Sequence, residues 1–236
     1  MRDYRLELET RVANIRALLQ ASGAEGLIYG NSGGKDSVLV GILCQKACEN
    51  TLGVLMPCAS KRNFGEDLED GLAVARAFGI RSLTVDLTPL RNAFLETLEE
   101  KNISPNQLAQ TNLPPRLRMN TLYAIANTRN LLVAGTSNRS EIYVGYFTKW
   151  GDGAYDFNPI SDLTVREVYE FLRYLGVSEH ILTKPPSGGL FDGQTDEQDL
   201  GISYDKIDDY LLYGKASGED RALIERLHER TKHKRK

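Results

Sequence analysis

The sequence predicts an α/β fold: a doubly wound parallel sheet with flanking helices. Three observations carry that expectation. Short apolar runs of strand length alternate with stretches of helical periodicity, and strand–helix–strand units in succession imply a parallel sheet with right-handed crossovers. A loop of small residues, Asn31 to Lys35, separates the first apolar run from the helix after it. The 236 residues suffice for one sizeable core, alone or with a small appendage.

In chain order, Leu8, Val12, Ile15 and Leu19 fall on one face of a helix over about residues 3–21, ended at Gly23. Leu27, Ile28 and Tyr29 form a buried strand. Asp36 or Ser37 caps the next helix, which carries Val38, Leu39, Ile42 and Leu43 and runs to about Glu49. Leu52 to Met56 is a second strand, stopped by Pro57. Asp67 to Phe78 is helical with Leu68, Leu72 and Ala75 inward, and Ser82 to Asp86 is a third strand. Leu90 to Glu99 is a helix. Asn102 to Pro115 is polar and proline-bearing and reads as a loop; Pro114 and Pro115 then open a helix from Arg116 to about Thr128. Leu131 to Ala134 is a fourth strand, followed by Gly135-Thr136-Ser137-Asn138 and a short helix bearing Glu141.

Tyr146 to Pro159 is a polar loop holding Lys149 and Trp150, the only tryptophan. An aromatic ring and a cation in a loop at the ligand edge of a sheet suit binding. Leu163 to Leu175 is a strongly periodic helix. Lys184 to Gln198 reads as a long loop, a candidate lid. Asp205 to Tyr213 and Glu219 to Arg230 are helices, and the chain ends in Lys232-His233-Lys234-Arg235-Lys236, a kind of basic tail that is usually solvated.

Lys and Arg total 29 against 32 Asp and Glu, a formal net charge of −3, so the balance points away from bulk nucleic-acid or membrane binding. No apolar run is long enough to span a bilayer, and the N-terminus carries no apolar signal region. Cys44, Cys48 and Cys58 form no Cys-x-x-Cys pair, and their odd number predicts a reducing, cytoplasmic setting.

Strand, glycine-rich loop and helix make the geometry in which backbone N–H groups and a helix N-terminus converge on an anion. A Walker A loop needs Gly-x-x-x-x-Gly-Lys-Ser/Thr, but here Asp36 follows Lys35 and no glycine stands five residues before Gly34. The dinucleotide fingerprint Gly-x-Gly-x-x-Gly is also absent. What stands is Ser32-Gly33-Gly34-Lys35-Asp36-Ser37. It matches the Ser-Gly-Gly-x-Asp-Ser signature of ATP pyrophosphatases, which cleave ATP between the α and β phosphates. Gly33 and Gly34 let backbone approach pyrophosphate closely, and Ser32 and Ser37 can donate hydroxyl hydrogen bonds. Asp36 would repel phosphate on its own, so its presence implies a bridging Mg²⁺.

Further blocks follow in order: Arg116-Leu117-Arg118-Met119, Gly135-Thr136 with Glu141, Gly145 to Gly153, and Asn158-Pro159. Lys184-Pro185-Pro186-Ser187, Gln194-Thr195-Asp196-Glu197, Leu200 to Tyr204 and His233-Lys234-Arg235 complete the set. With these the chain, from about residue 20 onward, resembles the ammonia-dependent NAD synthetases. The resemblance implies a Rossmann-like fold of the adenine-nucleotide α-hydrolase kind and a single domain over residues 1–236. It also implies a two-step ligase reaction. The nicotinate carboxylate of deamido-NAD attacks the α-phosphate of ATP, releasing pyrophosphate, and ammonia then displaces AMP to give NAD⁺. Glutamine-dependent relatives carry an extra glutaminase domain for which this chain has no room, so free ammonia is the expected nitrogen source. A homodimer is the expected assembly.

Carried over residue by residue, the resemblance makes Gly30, Asn31, Ser32, Gly33, Gly34, Lys35, Asp36 and Ser37, with Thr136 and Ser187, the ATP contacts. Asp36 and Glu141 become the Mg²⁺ ligands. Arg116, Lys149, Asp156, His233 and Lys234 become contacts to deamido-NAD, so that the tail folds back as a binding element. Asp152 either orients or deprotonates ammonium or shapes the Gly-Asp-Gly turn. One departure stands out: where many relatives carry an ATP-contacting lysine after Leu-Thr, this chain has Val165 followed by Arg166, a candidate replacement. Two rivals remain: a tRNA-modifying ATP pyrophosphatase, against which the missing Cys-x-x-Cys and the acidic balance count, and a nucleotide sensor, against which Asp36 and Glu141 count.

Overall fold

In the computed structural model, which describes residues 2–184 and 195–235, four parallel strands form one sheet. They are β1 Gly26–Gly30, β2 Thr51–Leu55, β3 Arg81–Thr84 and β4 Leu131–Ala134, in the order β3-β2-β1-β4. The central β1 sets Leu27 beside Thr51 of β2 and Leu132 of β4. The helices are α1 Tyr4–Ser22, α2 Lys35–Ala47, α3 Lys61–Phe64, α4 Glu66–Ala77, α5 Thr88–Glu99 and α6 Gln107–Arg129. They continue with α7 Arg139–Val144, α8 Val165–Tyr174, α9 Glu179–Thr183, α10 Asp196–Leu200, α11 Tyr204–Tyr213 and α12 Gly218–Arg230. A 3₁₀ turn spans Lys232–Lys234. Among the described residues, no helix is long and apolar enough to cross a membrane.

Strand alternation divides the core. Leu27 and Tyr29 point to the face covered by α1, α2 and α8, while Ile28 points to the face covered by α6. A third apolar cluster joins α7, α8, α11 and α12 beyond the β4 edge. The Tyr29 ring is fully buried and fits only because Gly41 lies against it: a Cβ at Gly41 would collide with the ring and its hydroxyl. On the outer side, Arg11 Nη1 and Nη2 reach Asp162 at 2.7 and 2.8 Å, and Arg2 joins Asp162 and Glu167 at 3.0 and 2.7 Å. This network straps α1 to the start of α8.

Burial alone would raise the Asp162 carboxyl, but Arg11 and Arg2 outweigh it and hold it below its ordinary value. A depressed carboxyl stabilises the fold above the unfolded value and loses that contribution as pH falls through the folded one. Asp162→Asn should therefore lower the melting temperature above about pH 4 and converge on the wild type in stronger acid. Thermal melts across that range test this; a constant gap at every pH would contradict it.

Local chemistry shifts several boundaries from the sequence reading. The cap of α2 is Gly34, not Asp36 or Ser37. Ser37 Oγ bonds back to Gly34 O at 3.0 Å, so that side chain ties the loop to the first turn instead of capping it. Residues 107–115 belong to α6 rather than to a loop. Asn106 caps the helix through Ala109 N at 2.9 Å, and Pro114 and Pro115 lie inside it, depriving the carbonyls of Gln110 and Thr111 of their usual i+4 donors. The inward face of α4 is Asp70, Gly71, Val74 and Ala75, with Leu68 and Leu72 only half-buried. The stretch 184–198 is not all loop, since α10 begins at Asp196; Ser187 and Gln194 lie outside the described residues.

Candidate active site

The carboxyl ends of β1, β2 and β4 open into one cavity of about 470 Å³, the position where open parallel sheets bind ligands. The loop after β1 forms its floor. Asn31 Nδ2 donates to Gly71 O at 2.9 Å, and Gly33 N donates to Asn31 Oδ1 at 3.2 Å, pinning the loop to α4. Gly33 has φ +70°, and a Cβ there would stand 2.7 Å from Asp67 O, so only glycine fits. Gly30, Asn31, Ser32, Gly34, Lys35, Asp36 and Ser37 line the cavity; Gly33 turns away to pack on α4. No side chain caps the first turn of α2. Its amide end is thus the natural seat for a phosphate.

Charges gather above this floor. Lys35 Nζ lies 2.6 Å from Asp36 Oδ2 and 3.7 Å from Glu141 Oε1, over the Tyr204 ring at 5.6 Å. Glu141 is positioned by a capping box. Its Oε2 accepts from Asn138 N at 3.0 Å and its N–H donates to Asn138 Oδ1 at 3.0 Å, while Asn138 Nδ2 donates to Asp36 Oδ1 at 3.1 Å. Burial, then the Asp36 charge, pushes the Glu141 carboxyl well above its ordinary value. Burial would lower the Lys35 ammonium, but Asp36 and Glu141 together hold it above its usual value. Two half-buried carboxylates from different strand ends, already sharing one cationic group, have the hard all-oxygen character that suits Mg²⁺. Asp196, also buried, faces the same region; its Oδ2 accepts from Tyr204 O–H at 3.2 Å.

At the other end of the cavity, Asp152 Oδ1 accepts from Thr148 N at 2.9 Å, which shapes the turn while leaving the carboxylate on the cavity wall. Burial raises its pKa against the lowering influence of Arg118 and Lys234. The basic tail is docked rather than solvated. Lys234 Nζ donates to Gly145 O at 2.8 Å and Phe147 O at 2.7 Å, and Arg235 bonds the carbonyls of Ile142, Tyr143 and His228. Thr136 lines the cavity as well.

Arg118, two residues from Arg116 and so on a different side of α6, was not singled out by the sequence. Its Nε donates to Met56 O at 3.1 Å and its Nη2 to Asn63 Oδ1 at 3.0 Å, and among the described residues no carboxylate forms an ion pair with it. Burial lowers its pKa, so the charge is only partly compensated. A cavity-lining guanidinium with neutral acceptors is ready for an anion. Arg118→Met should cut kcat/KM by about 10- to 100-fold, the worth of a charge-assisted hydrogen bond. Steady-state kinetics check this, and an unchanged kcat/KM would remove Arg118 from the site.

Other expected contacts stand apart from the cavity. Arg116 is exposed, with Nε 3.4 Å from Lys149 O, and Lys149 Nζ donates to His233 O at 2.7 Å while lying 5.3 Å over the Trp150 ring. These three residues form a rim cluster. Asp156 is tied to Tyr123 O–H at 3.0 Å and Val133 N at 2.7 Å. Arg166, the candidate replacement for the missing lysine, pairs with Asp209 at 2.9 Å and Asp205 at 3.6 Å and does not line the cavity. The structure adds Lys184, held by Asp67 and Asp70 at 2.9 and 2.6 Å, and Asp196. Both lie in blocks that the resemblance quoted, which was the available signal.

The NAD synthase profile matches residues 7–236. The NH(3)-dependent NAD(+) synthetase of Carboxydothermus hydrogenoformans is 45% identical over 226 residues, covering 94% of this chain and 91% of the relative. That of Alkaliphilus metalliredigens is 44% identical over 238 residues, covering 98% and 95%. Among solved structures, NMN synthetase from Francisella tularensis superposes with a TM-score of 0.94 at 35% identity, over 100% of this chain and 97% of the other. NAD⁺ synthetase from Burkholderia pseudomallei gives 0.81 at 29%, over 100% and 91%. The parallel sheet with its flanking helices is thus the adenine-nucleotide α-hydrolase fold of these enzymes. The phosphate floor, the facing carboxylates and a match along nearly the whole sequence agree, and the chain belongs to the NAD synthase family.

Proposed function

We propose that the chain is an ammonia-dependent ligase that amidates the nicotinate carboxylate of deamido-NAD at the expense of ATP, the last step of NAD biosynthesis. The observation that carries this reading is the convergence of Asp36 and Glu141 on one cationic position above the phosphate floor. A carboxylate oxygen of the acceptor attacks the α-phosphorus, the bond to the α–β bridging oxygen breaks, and pyrophosphate leaves. Ammonia then adds to the acyl carbon, the C–O bond to AMP breaks, and one proton is released. Asp36 and Glu141 would hold Mg²⁺, which screens phosphate charge when bound. The loop from Gly30 to Ser37, with Thr136, orients the triphosphate, and Arg118 and Lys234 draw the anionic acceptor toward it.

The reading places the enzyme in the cytoplasm as a homodimer. The rim cluster of Arg116, Lys149 and His233, outside one chain's cavity, supports a dinucleotide that reaches a second copy. A second reading takes the mononucleotide as acceptor. It draws support from the higher TM-score to the NMN synthetase, 0.94 against 0.81, and from a cavity that does not include those rim residues. The test is an incubation with ATP, Mg²⁺ and ammonium, with deamido-NAD and nicotinate mononucleotide competing at equal concentration. NAD⁺ formed one-to-one with AMP supports the first reading, and NMN in excess of NAD⁺ the second. No amide from either acceptor defeats both.

A further inference from the structure

We infer that Arg235 is a positioning residue for the metal ligand Glu141: from the tail, it clamps the carbonyl end of the short helix on which Glu141 rides. The inference rests on the reading above that Asp36 and Glu141 share a divalent cation. Helix α7 spans only Arg139–Val144, far too short to be stable unaided. Its amino end is closed by Asn138, and its flank is tied by Ser140 Oγ, which donates to the buried Asp208 at 2.5 Å. Its last turn has no basic residue of its own. The last carbonyls of a helix lack intrahelical donors and carry the negative end of its dipole.

Those carbonyls are answered from α12 and the tail. Arg235 Nη1 donates to Ile142 O at 3.2 Å and Tyr143 O at 3.0 Å, and Thr231 Oγ1 donates to Val144 O at 3.2 Å. Arg235 Nη2 also donates to His228 O in the last turn of α12, and Nη1 reaches Thr231 Oγ1 at 2.9 Å. One guanidinium thus joins the carbonyl ends of two helices. Among the described residues no carboxylate forms an ion pair with Arg235, so its charge faces those two ends. Lys234 acts elsewhere, on Gly145 O and Phe147 O beyond the helix. Glu141 stands one residue before Ile142, and its own carbonyl accepts from Tyr146 N at 2.9 Å in the same turn. The capping box fixes Glu141 within α7, whereas Arg235 fixes α7 against α12. The Glu141 carboxylate faces Lys35 beside the like charge of Asp36. A ligand held near a like charge needs a rigid support. When the end of α7 loosens, Glu141 can draw away from Asp36, and the shared cation loses an oxygen.

The test follows binding of α,β-methylene-ATP, which resists cleavage between those phosphates, by calorimetry with and without Mg²⁺. No acceptor is present, so contacts of the tail to an acceptor play no part. Wild type should bind the analogue more tightly with Mg²⁺, and Glu141→Gln should lose that gain. Arg235→Met should lose about 10-fold of it, the loss that follows removal of a group orienting a metal ligand, while its affinity without Mg²⁺ stays at the wild-type value. An undiminished gain in Arg235→Met would overturn the inference. So would an equal loss with and without Mg²⁺, which gives Arg235 a purely structural part. If Arg235→Met does not fold, wild type decides. Coupling is reciprocal, so Mg²⁺ added to the analogue complex should slow backbone amide exchange at Thr231 and Arg235. Exchange there that is the same with and without Mg²⁺ overturns the inference. A Glu141→Gln variant that keeps the full gain, or a wild type that shows none, defeats the metal reading instead.

Discussion

Asp36→Asn is expected to lower the rate of pyrophosphate release about 10³-fold, equivalent to ~4 kcal/mol of transition-state stabilisation. The substitution keeps the shape of the side chain and removes its charge. Asn138 Nδ2, which donates to Asp36 Oδ1 at 3.1 Å, still finds an amide oxygen there. Lys35 keeps Glu141 within 3.7 Å, so its buried ammonium retains a counter-charge. What disappears is one of two anionic oxygens able to hold a divalent cation against the triphosphate. Loss of the repulsion between Asp36 and Glu141 also lets the Glu141 carboxyl fall back toward its ordinary value, because the Asp36 charge is the second cause of its elevation. The melting temperature should move little, since loss of the Lys35 pair and relief of that repulsion oppose one another. The check is a pyrophosphate-release assay beside a thermal melt. A variant that melts normally and releases pyrophosphate at the wild-type rate would sink the metal assignment.

Phe171→Ala should be the most destabilising single change in the core, by about 3–5 kcal/mol. The Phe171 ring is fully buried and sits 5.1 Å from Tyr4 and 6.4 Å from Tyr174, centroid to centroid. It belongs to the cluster containing Val38, Leu39, Ile42 and Leu43, so α8 supports the helix that presents the phosphate floor. A void there leaves α2 without its backing. The midpoint of thermal unfolding should fall by on the order of 10 °C for a chain of this length. On the proposed function ATP is a ligand of the folded state alone, and saturating ATP should then recover part of it, about 2.7 kcal/mol at a hundred times Kd. Scanning calorimetry with and without ATP measures both. A shift no larger than that of an exposed control such as Leu108→Ala would show that the site collapses without cost.

Much of the site was legible because it is local. Ser32 to Ser37 carry loop, positive φ and helix start within a few residues, and α4 pins that local pattern from behind through Gly71. Glu141 was legible through the resemblance and its place just past a strand end, while the Asn138 cap that holds it emerges only in the structure. Arg118 and Asp196 were not, because their meaning depends on partners far away in the chain: Met56 and Asn63 for the first, Lys35 in the loop after β1 for the second. The start of α6 was missed although Asn106 is a good cap, because two prolines and a polar stretch outweighed it. A basic tail is usually solvated, and only the resemblance gives His233 and Lys234 a binding role. Its cations instead serve the carbonyls at the end of α7, including Tyr143 O and Gly145 O, which no local pattern reveals.

The strand order also sets an order of events in folding. β1 gains its first neighbour, β2, after a crossover of about twenty residues, but its other edge is covered only when Leu131 to Ala134 arrives about a hundred residues later. Until then, Leu27, Ile28 and Tyr29 present an uncharged, apolar edge with open backbone groups, the form of strand that pairs with other chains. Refolding yield should therefore fall with protein concentration well before native stability becomes limiting, and ligands that bind the floor alone cannot protect the chain during that interval.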